Sequence, residues 1–138
     1  MTKTRREHLE LASTLLARER DATDADERAA ATRLLEKLFF ELTPLIGAGG
    51  VTALFARTVV IAKMDCRSIE ALPSSADSLD AVRSRLREHF ANVARAEVAA
   101  CATALCATFL SLMSRFVGEP LTMRLVHRAW PDEREEPS

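Results

Sequence analysis

Tyrosine is missing from this 138-residue sequence, which has only one tryptophan, four glycines and three cysteines. β-Branched residues do not cluster into the alternating runs that strands need, so a sheet protein is disfavoured. Alanine, by contrast, is abundant, and it favours helix because it loses no side-chain entropy there. The composition therefore predicts an all-α protein, and the length fits a single domain.

A strong charge of one sign is also lacking, because the net charge is −1. A protein that attracts nucleic acid through its overall field needs a marked positive excess, so this balance disfavours nucleic acid as the main partner. The basic residues are nearly all arginine, with lysine only at Lys3, Lys37 and Lys63. We interpret the arginine excess as genomic base composition in preference to a special pairing role.

The cysteines and the apolar runs bear on location. Cys66, Cys101 and Cys106 form no C-x-x-C motif, and the charged residues 2–8 are not followed by the apolar stretch of a signal peptide. These features predict reduced thiols and a cytoplasmic protein. The longest apolar run, 98–113, is shorter than the roughly 20 residues that a membrane-spanning helix needs. We therefore expect a buried central helix there and no membrane partner.

A helix–glycine–helix pattern occurs twice, 71 positions apart. Apolar residues with helical spacing lead to Gly47 in the first copy and to Gly118 in the second, and Arg57 and Arg128 occupy matching later positions. A duplicated unit explains the pattern, and so do two unrelated hairpins that obey the same 3.6-residue period. Either way, the sequence predicts a bundle of about five helices built on two helix–turn–helix hairpins around a long central helix.

Apolar spacing and breaker residues set the expected elements. Asp24, with Glu27 three residues later, is the expected N-cap of the second helix, and Thr43-Pro44 is expected to end or kink it. The fourth helix would run without a breaker over 79–116, roughly 55 Å. A compact domain of this size has a radius of gyration of about 14 Å, so this helix must kink or project. The helices are predicted at 5–20, 24–42, 51–66, 79–116 and 118–128, in a single domain over 1–131 followed by a flexible charged tail over 132–138.

No catalytic or metal-binding motif stands out. His8, His89 and His127 lack the spacing of metal ligands, and the sequence contains no H-E-x-x-H. The glycine-rich segment 47–50 lacks the preceding strand and following lysine of a phosphate-binding loop. We therefore expect no enzymatic activity, no catalytic residue, no cofactor and no metal.

Two charged residues in apolar surroundings suggest a ligand site. Glu97 falls on the apolar stripe of the fourth helix, and Arg57 lies within an otherwise apolar helix. If buried, each needs a partner, which makes a structural ion pair of Glu97 with Arg57 or Arg128 one interpretation. The other is the polar floor of a ligand pocket between helices, with Cys101 and Cys106 on its wall.

The two glycine corners also carry a resemblance to known proteins. The chain resembles small helical bacterial proteins of unassigned function, an uncharacterised family, and the resemblance covers about 40 residues. It implies a bacterial cytosolic protein and carries over no catalytic residue. The motifs are Leu45-Ile46-Gly47-x-x-Gly50-x-x-Ala53-Leu54-x-x-Arg57 and Val117-Gly118-Glu119-x-Leu121-Thr122-x-Arg124-Leu125-x-x-x-Ala129-Trp130-Pro131.

Three functions are compatible with these features. The first is a non-enzymatic interaction or regulatory protein, a homodimer or the partner of another protein, in which helices dock through an apolar groove. The second is a sensor-like bundle that binds a small molecule in a pocket near Arg57 and Glu97. The third and weakest is a DNA-binding regulator that uses Arg83, Arg85 and Arg87.

Overall fold

A computed structural model describes residues 3–23, 26–71 and 78–131 of the chain. These residues contain no strand, which confirms the predicted all-α fold. The predicted tail over 132–138 and the predicted N-cap Asp24 lie outside the described residues. The helices are α1 (Arg5–Thr23), α2 (Glu27–Ala62), α3 (Leu79–Asn92), α4 (Val98–Val117) and α5 (Glu119–Ala129), with 3₁₀ turns at Arg67–Ala71 and Arg95–Glu97.

Helices α2 and α3 begin with an N-cap side chain, but α2 uses a different residue from the one expected. The Asp26 carboxylate accepts a hydrogen bond of 2.9 Å from the backbone N–H of Ala29. Ser78 caps α3 in the same way, with its hydroxyl oxygen 3.2 Å from the backbone nitrogen of Ala81. Both side chains satisfy a backbone donor that has no partner within the first helical turn.

Helix α4 is the centre of the bundle, as expected, and packs against α1, α2 and α5. Its buried residues include Ala102, Ala104 and Ala107, whose small side chains allow neighbouring helix axes to approach closely. Larger apolar residues of the same helix, among them Leu105 and Phe109, are fully buried. The alanine-rich half of the expected long helix is therefore the core element of the bundle.

The continuous helix expected over 79–116 is in fact two helices. Helix α3 ends at Asn92, and Val93 is extended with φ −73° and ψ 148°. The side-chain amide of Asn92 donates a hydrogen bond of 2.8 Å to the carbonyl oxygen of Glu88, where the helix ends. The break allows α3 to pack on α2 while α4 fills the centre of the bundle, which one straight rod of roughly 55 Å cannot do.

The two corner glycines have nearly the same backbone conformation. Gly47 has φ 81° and ψ 162°, and Gly118 has φ 94° and ψ 149°. This region of backbone space is essentially restricted to glycine, so both predicted corners are confirmed. Helical structure continues past Pro44 to the break at Gly47, so the end predicted at Thr43-Pro44 was wrong by a few residues. A true duplication of the two hairpins stays a prediction.

Three phenylalanines connect the two arms of α2 to α4. The Phe39 ring, on the arm before Gly47, lies edge-on to Phe55 on the arm after it, with 5.2 Å between ring centroids. It also lies edge-on to Phe109 of α4 at 5.4 Å. All three are buried, and such aromatic pairs contribute beyond their buried area. The cluster thus holds the corner of α2 against the central helix.

Candidate functional site

The four residues of the predicted ligand site are not brought together as expected. Arg57 is exposed on the arm of α2 after Gly47, and Glu97 is exposed at the end of the second 3₁₀ turn. Cys101 and Cys106 are fully buried in α4. The break at Val93 shifts the helical phase, which moves Glu97 off the apolar stripe. Because both charged side chains are exposed, the expectation that they are buried and need each other was wrong.

Two of the three cysteines contact polar side chains. The Cys101 thiol lies 3.3 Å from Nε2 of His89 in α3. Cys66 lies near Cys101, and its thiol is 3.0 Å from the Ser68 hydroxyl. Burial raises the pKa of Cys101 to about 12 and also raises the pKa of Cys106. Thiols that stay protonated behave as small apolar side chains and not as nucleophiles. Within the described ranges, no group of histidine, cysteine and acidic residues is arranged to hold a metal ion.

Two histidines are buried among the helices. His8 of α1 is 2% exposed, its Nε2 is 3.6 Å from Oε1 of Glu119, and Lys3 and Glu7 also act on its charge. His89 of α3 is 9% exposed beside Cys101. Burial is the main cause that lowers the pKa of each imidazole below its ordinary value. Both histidines therefore remain neutral over a wider pH range in the folded protein than in the unfolded chain.

This difference makes the stability of the fold sensitive to mild acid. Below an unfolded pKa of about 6.5, the unfolded chain takes up protons that the folded protein does not, so stability rises with pH in that window. We expect nearly constant stability between about pH 7 and 8 and, from pH 6.5 downward, a loss of up to about 1.4 kcal/mol per pH unit for each histidine. Urea unfolding at pH 7.5 and 5.5 measures this loss of stability. Most carboxylates stay ionised at both pH values, so they add little to the difference. His89→Gln should reduce the change in unfolding free energy with pH. A wild type that is as stable or more stable at pH 5.5 than at pH 7.5 would contradict this prediction.

A buried carboxylate on α1 was not predicted from the sequence. Glu19 is fully buried, and its Oε2 accepts from Lys37 Nζ at 2.7 Å and from the Trp130 indole N–H at 2.9 Å. The Lys37 ammonium also lies 5.5 Å from the centroid of the Trp130 ring. Arg33 approaches Glu19 at 3.9 Å. In the sequence, Glu19 is one of many charged residues on the polar face of an amphipathic helix, and nothing local distinguishes it.

A groove of about 450 Å³ lies between α2, α3 and the end of α5, away from Arg57 and Glu97. Four of its lining residues carry positive charge and two carry negative charge. Phe40, with 70% of its surface exposed, provides an apolar wall. The lining residues are Arg33, Glu36, Lys37, Phe40, Glu41, Arg83, Arg128 and Ala129.

Of the three arginines considered for DNA binding, two contact carboxylates. Arg83 lies 3.7 Å from Asp80, and Arg87 lies 3.3 Å from Glu36. Arg85 also has an interaction partner. Arginines that face carboxylates present less free positive charge to a phosphate backbone than the same residues would alone.

The arm of α2 after Gly47, residues 48–62, presents an exposed face that is largely apolar. Val60 is 55% exposed, and Met64, just beyond the helix, is 87% exposed. Small residues occupy the middle of the face, and a methyl group built at Gly49 would meet nothing within 4 Å. Arg57 provides a single positive charge among them. The face, called here the α2 face, consists of Gly49, Ala53, Ala56, Arg57, Val60 and Met64.

Two segments of the described chain are long and apolar enough to cross a membrane, judged by length and composition alone. In Arg95–Val117, 67% of the most apolar stretch is buried within the protein, as in the core helix of a soluble bundle. In Glu27–Ala62 the corresponding share is 28%. The apolar character of α4 is therefore accounted for by the core, whereas most of the most apolar stretch of α2 is not fully buried.

Comparisons with known proteins add no relative. No family model matches the chain, and no curated protein or solved structure matches it either.

Proposed function

We propose that this protein is a non-enzymatic helical interaction protein that forms a homodimer through the α2 face. The observation that carries the proposal is the exposed side of α2 after Gly47, since only 28% of the most apolar stretch of α2 is fully buried in the rest of the chain. Leaving large apolar side chains in water forgoes about 25 cal/mol for each Å² that a partner could cover. Exposed apolar surface of this kind marks interaction sites in soluble proteins.

The partner we favour is a second copy of the chain, because the α2 face is complementary to itself. Small residues lie at Gly49 and Ala53, and the larger Val60 and Met64 lie toward one end. If two α2 arms cross antiparallel at Ala53, Arg57 of each copy lies opposite Gly49 of the other, and Val60 lies beyond it. The long side chain of Arg57 then lies over Gly49, which has no side chain, and this favours a close approach of the two helices. Such a two-fold contact uses the same patch on both copies.

The charge on the α2 face selects the antiparallel arrangement. Arg57 lies four residues from Ala53, so the two arginines of an antiparallel pair are about 12 Å apart along the helix axis. This separation exceeds the Debye length of about 8 Å at physiological ionic strength, so their repulsion is largely screened. A parallel pair would place the two guanidinium groups side by side, where like charges repel.

The same proposal places the protein in a reducing compartment, the bacterial cytoplasm, with a regulatory role. Its support is that Cys66, Cys101 and Cys106 are all free thiols, two of them fully buried. Reduced cysteines are typical of cytosolic proteins. The bacterial assignment rests on the resemblance of the two glycine corners to small bacterial proteins.

A single charge at the centre of the α2 face tests the proposal. Ala53→Glu puts two carboxylates at the proposed two-fold axis, where they would be desolvated side by side. The substitution is mild for the isolated helix, because glutamate is a good helix former at an exposed position. We expect sedimentation velocity to give a dimer for the wild type and a monomer for Ala53→Glu at the same concentration.

Ala100→Glu is the matched control, since Ala100 is exposed on α4 and lies outside the α2 face. It should remain a dimer, and its melting temperature should rise with protein concentration as that of the wild type does. A wild type that is monomeric at every concentration would remove the homodimer. If that monomer sedimented with lipid vesicles or with a different protein, the partner of the α2 face would be the lipid or that protein instead.

A further inference from the structure

The groove between α2, α3 and α5 has a surplus of positive charge. Its lining contains four cations, Arg33, Lys37, Arg83 and Arg128, and the two carboxylates of Glu36 and Glu41. With the buried Glu19, which contacts Lys37, counted as well, one positive charge more than negative ones remains around about 450 Å³ of space. The surplus is local, because the whole chain has a net charge of −1. A concave, positively charged surface raises the local concentration of small anions.

The four cations differ in how well they are neutralised. Lys37 lies 2.7 Å from the buried Glu19, and Arg128 lies 3.3 Å from Glu41. Arg33, by contrast, reaches a carboxylate only at 3.9 Å. These distances leave Arg33 as one of the two least satisfied cations of the groove.

Arg83 is the other. Its carboxylate contact is Asp80 at 3.7 Å, and that side chain is 93% exposed and therefore well hydrated. The Nε of Arg83 is buried and has no hydrogen-bond acceptor. A guanidinium presents several N–H donors in a planar fork that matches the oxygens of a phosphate or carboxylate. Arg33 and Arg83 come from two different helices and line the same groove, so one oxyanion between them could accept from both.

The groove also has an apolar wall. Phe40 is 70% exposed, and Ala129 of α5 lines the groove as well. An exposed aromatic ring beside a cationic pocket favours a ligand with a flat apolar body, because stacking removes apolar surface from water. Drug-sized ligands occupy pockets of about 300–1,000 Å³, in which a few polar groups fix the orientation, and this groove falls in that range.

We propose that this groove is a binding site for a small organic phosphate with an aromatic or apolar body. The phosphate lies between Arg33 and Arg83, and the body stacks on Phe40. A phosphate monoester has three terminal oxygens that accept hydrogen bonds and carries about two negative charges at neutral pH, so it can accept from both guanidinium groups at once. The site is independent of the α2 face, which begins at Gly49, beyond the corner at Gly47.

Phenyl phosphate is the probe, and isothermal titration calorimetry of the full chain is the measurement. We expect saturable binding of phenyl phosphate, weaker binding of inorganic phosphate, which lacks the ring, and weaker binding of benzyl alcohol, which lacks the charge. Raising the salt concentration should weaken phenyl phosphate binding, since part of the attraction is screened. Ala53→Glu, the variant that tests the dimer, should bind phenyl phosphate as the wild type does.

Variants on two helices locate the site. Arg33→Gln and Arg83→Gln should each weaken phenyl phosphate binding by about tenfold or more, as expected for the loss of a charge-assisted hydrogen bond. Arg83→Lys keeps the charge without the planar fork and should lie between Arg83→Gln and the wild type. Arg124→Gln removes an exposed arginine of α5 outside the groove and should leave affinity unchanged.

Three results would overturn the proposal. One is the absence of saturable binding of phenyl phosphate to the folded wild type. Another is equal weakening by Arg124→Gln and by the two groove variants, which would indicate unspecific attraction by surface charge. The third concerns the ring of the ligand. If both the wild type and Phe40→Ala bind phenyl phosphate no more tightly than inorganic phosphate, the groove has no apolar subsite.

Discussion

Replacing Phe39 by alanine should lower the free energy of unfolding by about 4 kcal/mol. The ring is fully buried and contacts both Phe55 and Phe109, so its removal leaves a cavity between the two arms of α2 and the central helix. The cost combines the lost transfer of the side chain from water with the unfilled cavity. Because domains of this size are stable by about 5–15 kcal/mol, the variant should lose a large fraction of its stability.

Urea unfolding followed by circular dichroism measures the loss, and the neighbouring residue provides the control. Phe40→Ala removes the same side chain one position along the same helix, but that ring is 70% exposed, so the change should stay within about 0.5 kcal/mol. Wild type and variants need the same protein concentration, since dimer formation would add to apparent stability. Similar losses for both variants would show that the phenylalanine cluster does not hold the corner of α2.

The second large effect is expected at Glu19. Glu19→Ala should cost about 3 kcal/mol, because it takes the acceptor from the Trp130 indole N–H and the counter-charge from Lys37. The value lies at the lower end for breaking a buried ion pair, since Lys37 is 38% exposed and can turn toward water. The same substitution removes one polar contact of α1 with α2 and one with the residue that follows α5.

Two further substitutions on α1 give the comparison. Glu10→Ala makes the same change at an exposed position of α1 and should alter stability by less than about 0.5 kcal/mol. Glu19→Gln keeps an oxygen acceptor for Trp130 while removing the charge. Its loss of stability should therefore lie between those of Glu10→Ala and Glu19→Ala. A loss for Glu19→Ala as small as that for Glu10→Ala would mean that this ion pair contributes little to the fold.

Several elements were predictable because their causes are local. Alanine-rich, periodically apolar segments favour helix wherever they lie, so the all-α class and the central position of α4 followed from composition and spacing. Gly47 and Gly118 were identifiable as corners because almost no other residue adopts their positive φ.

The errors came from positions where packing overrides a local preference. No breaker separates α3 from α4, and the helix ends at Asn92 because α3 packs on α2 whereas α4 must also fit against α1 and α5. That break in turn exposes Glu97, whose expected burial rested on one unbroken helical phase. Arg57 was expected to be buried because its helix is apolar, yet that side of α2 is not covered by the chain.

The sequence by itself determined which segments form helices and where glycine permits a corner, since these depend on interactions within a few residues. Only the tertiary structure decided which faces are covered, which charges are buried and which side chains share a groove. Glu19 meets Trp130 across 111 positions, and the groove joins Arg33 to Arg83 and Arg128 from three helices. Such pairings depend on how whole helices pack, because burial and charge contacts are set by distance in space and not by separation along the chain.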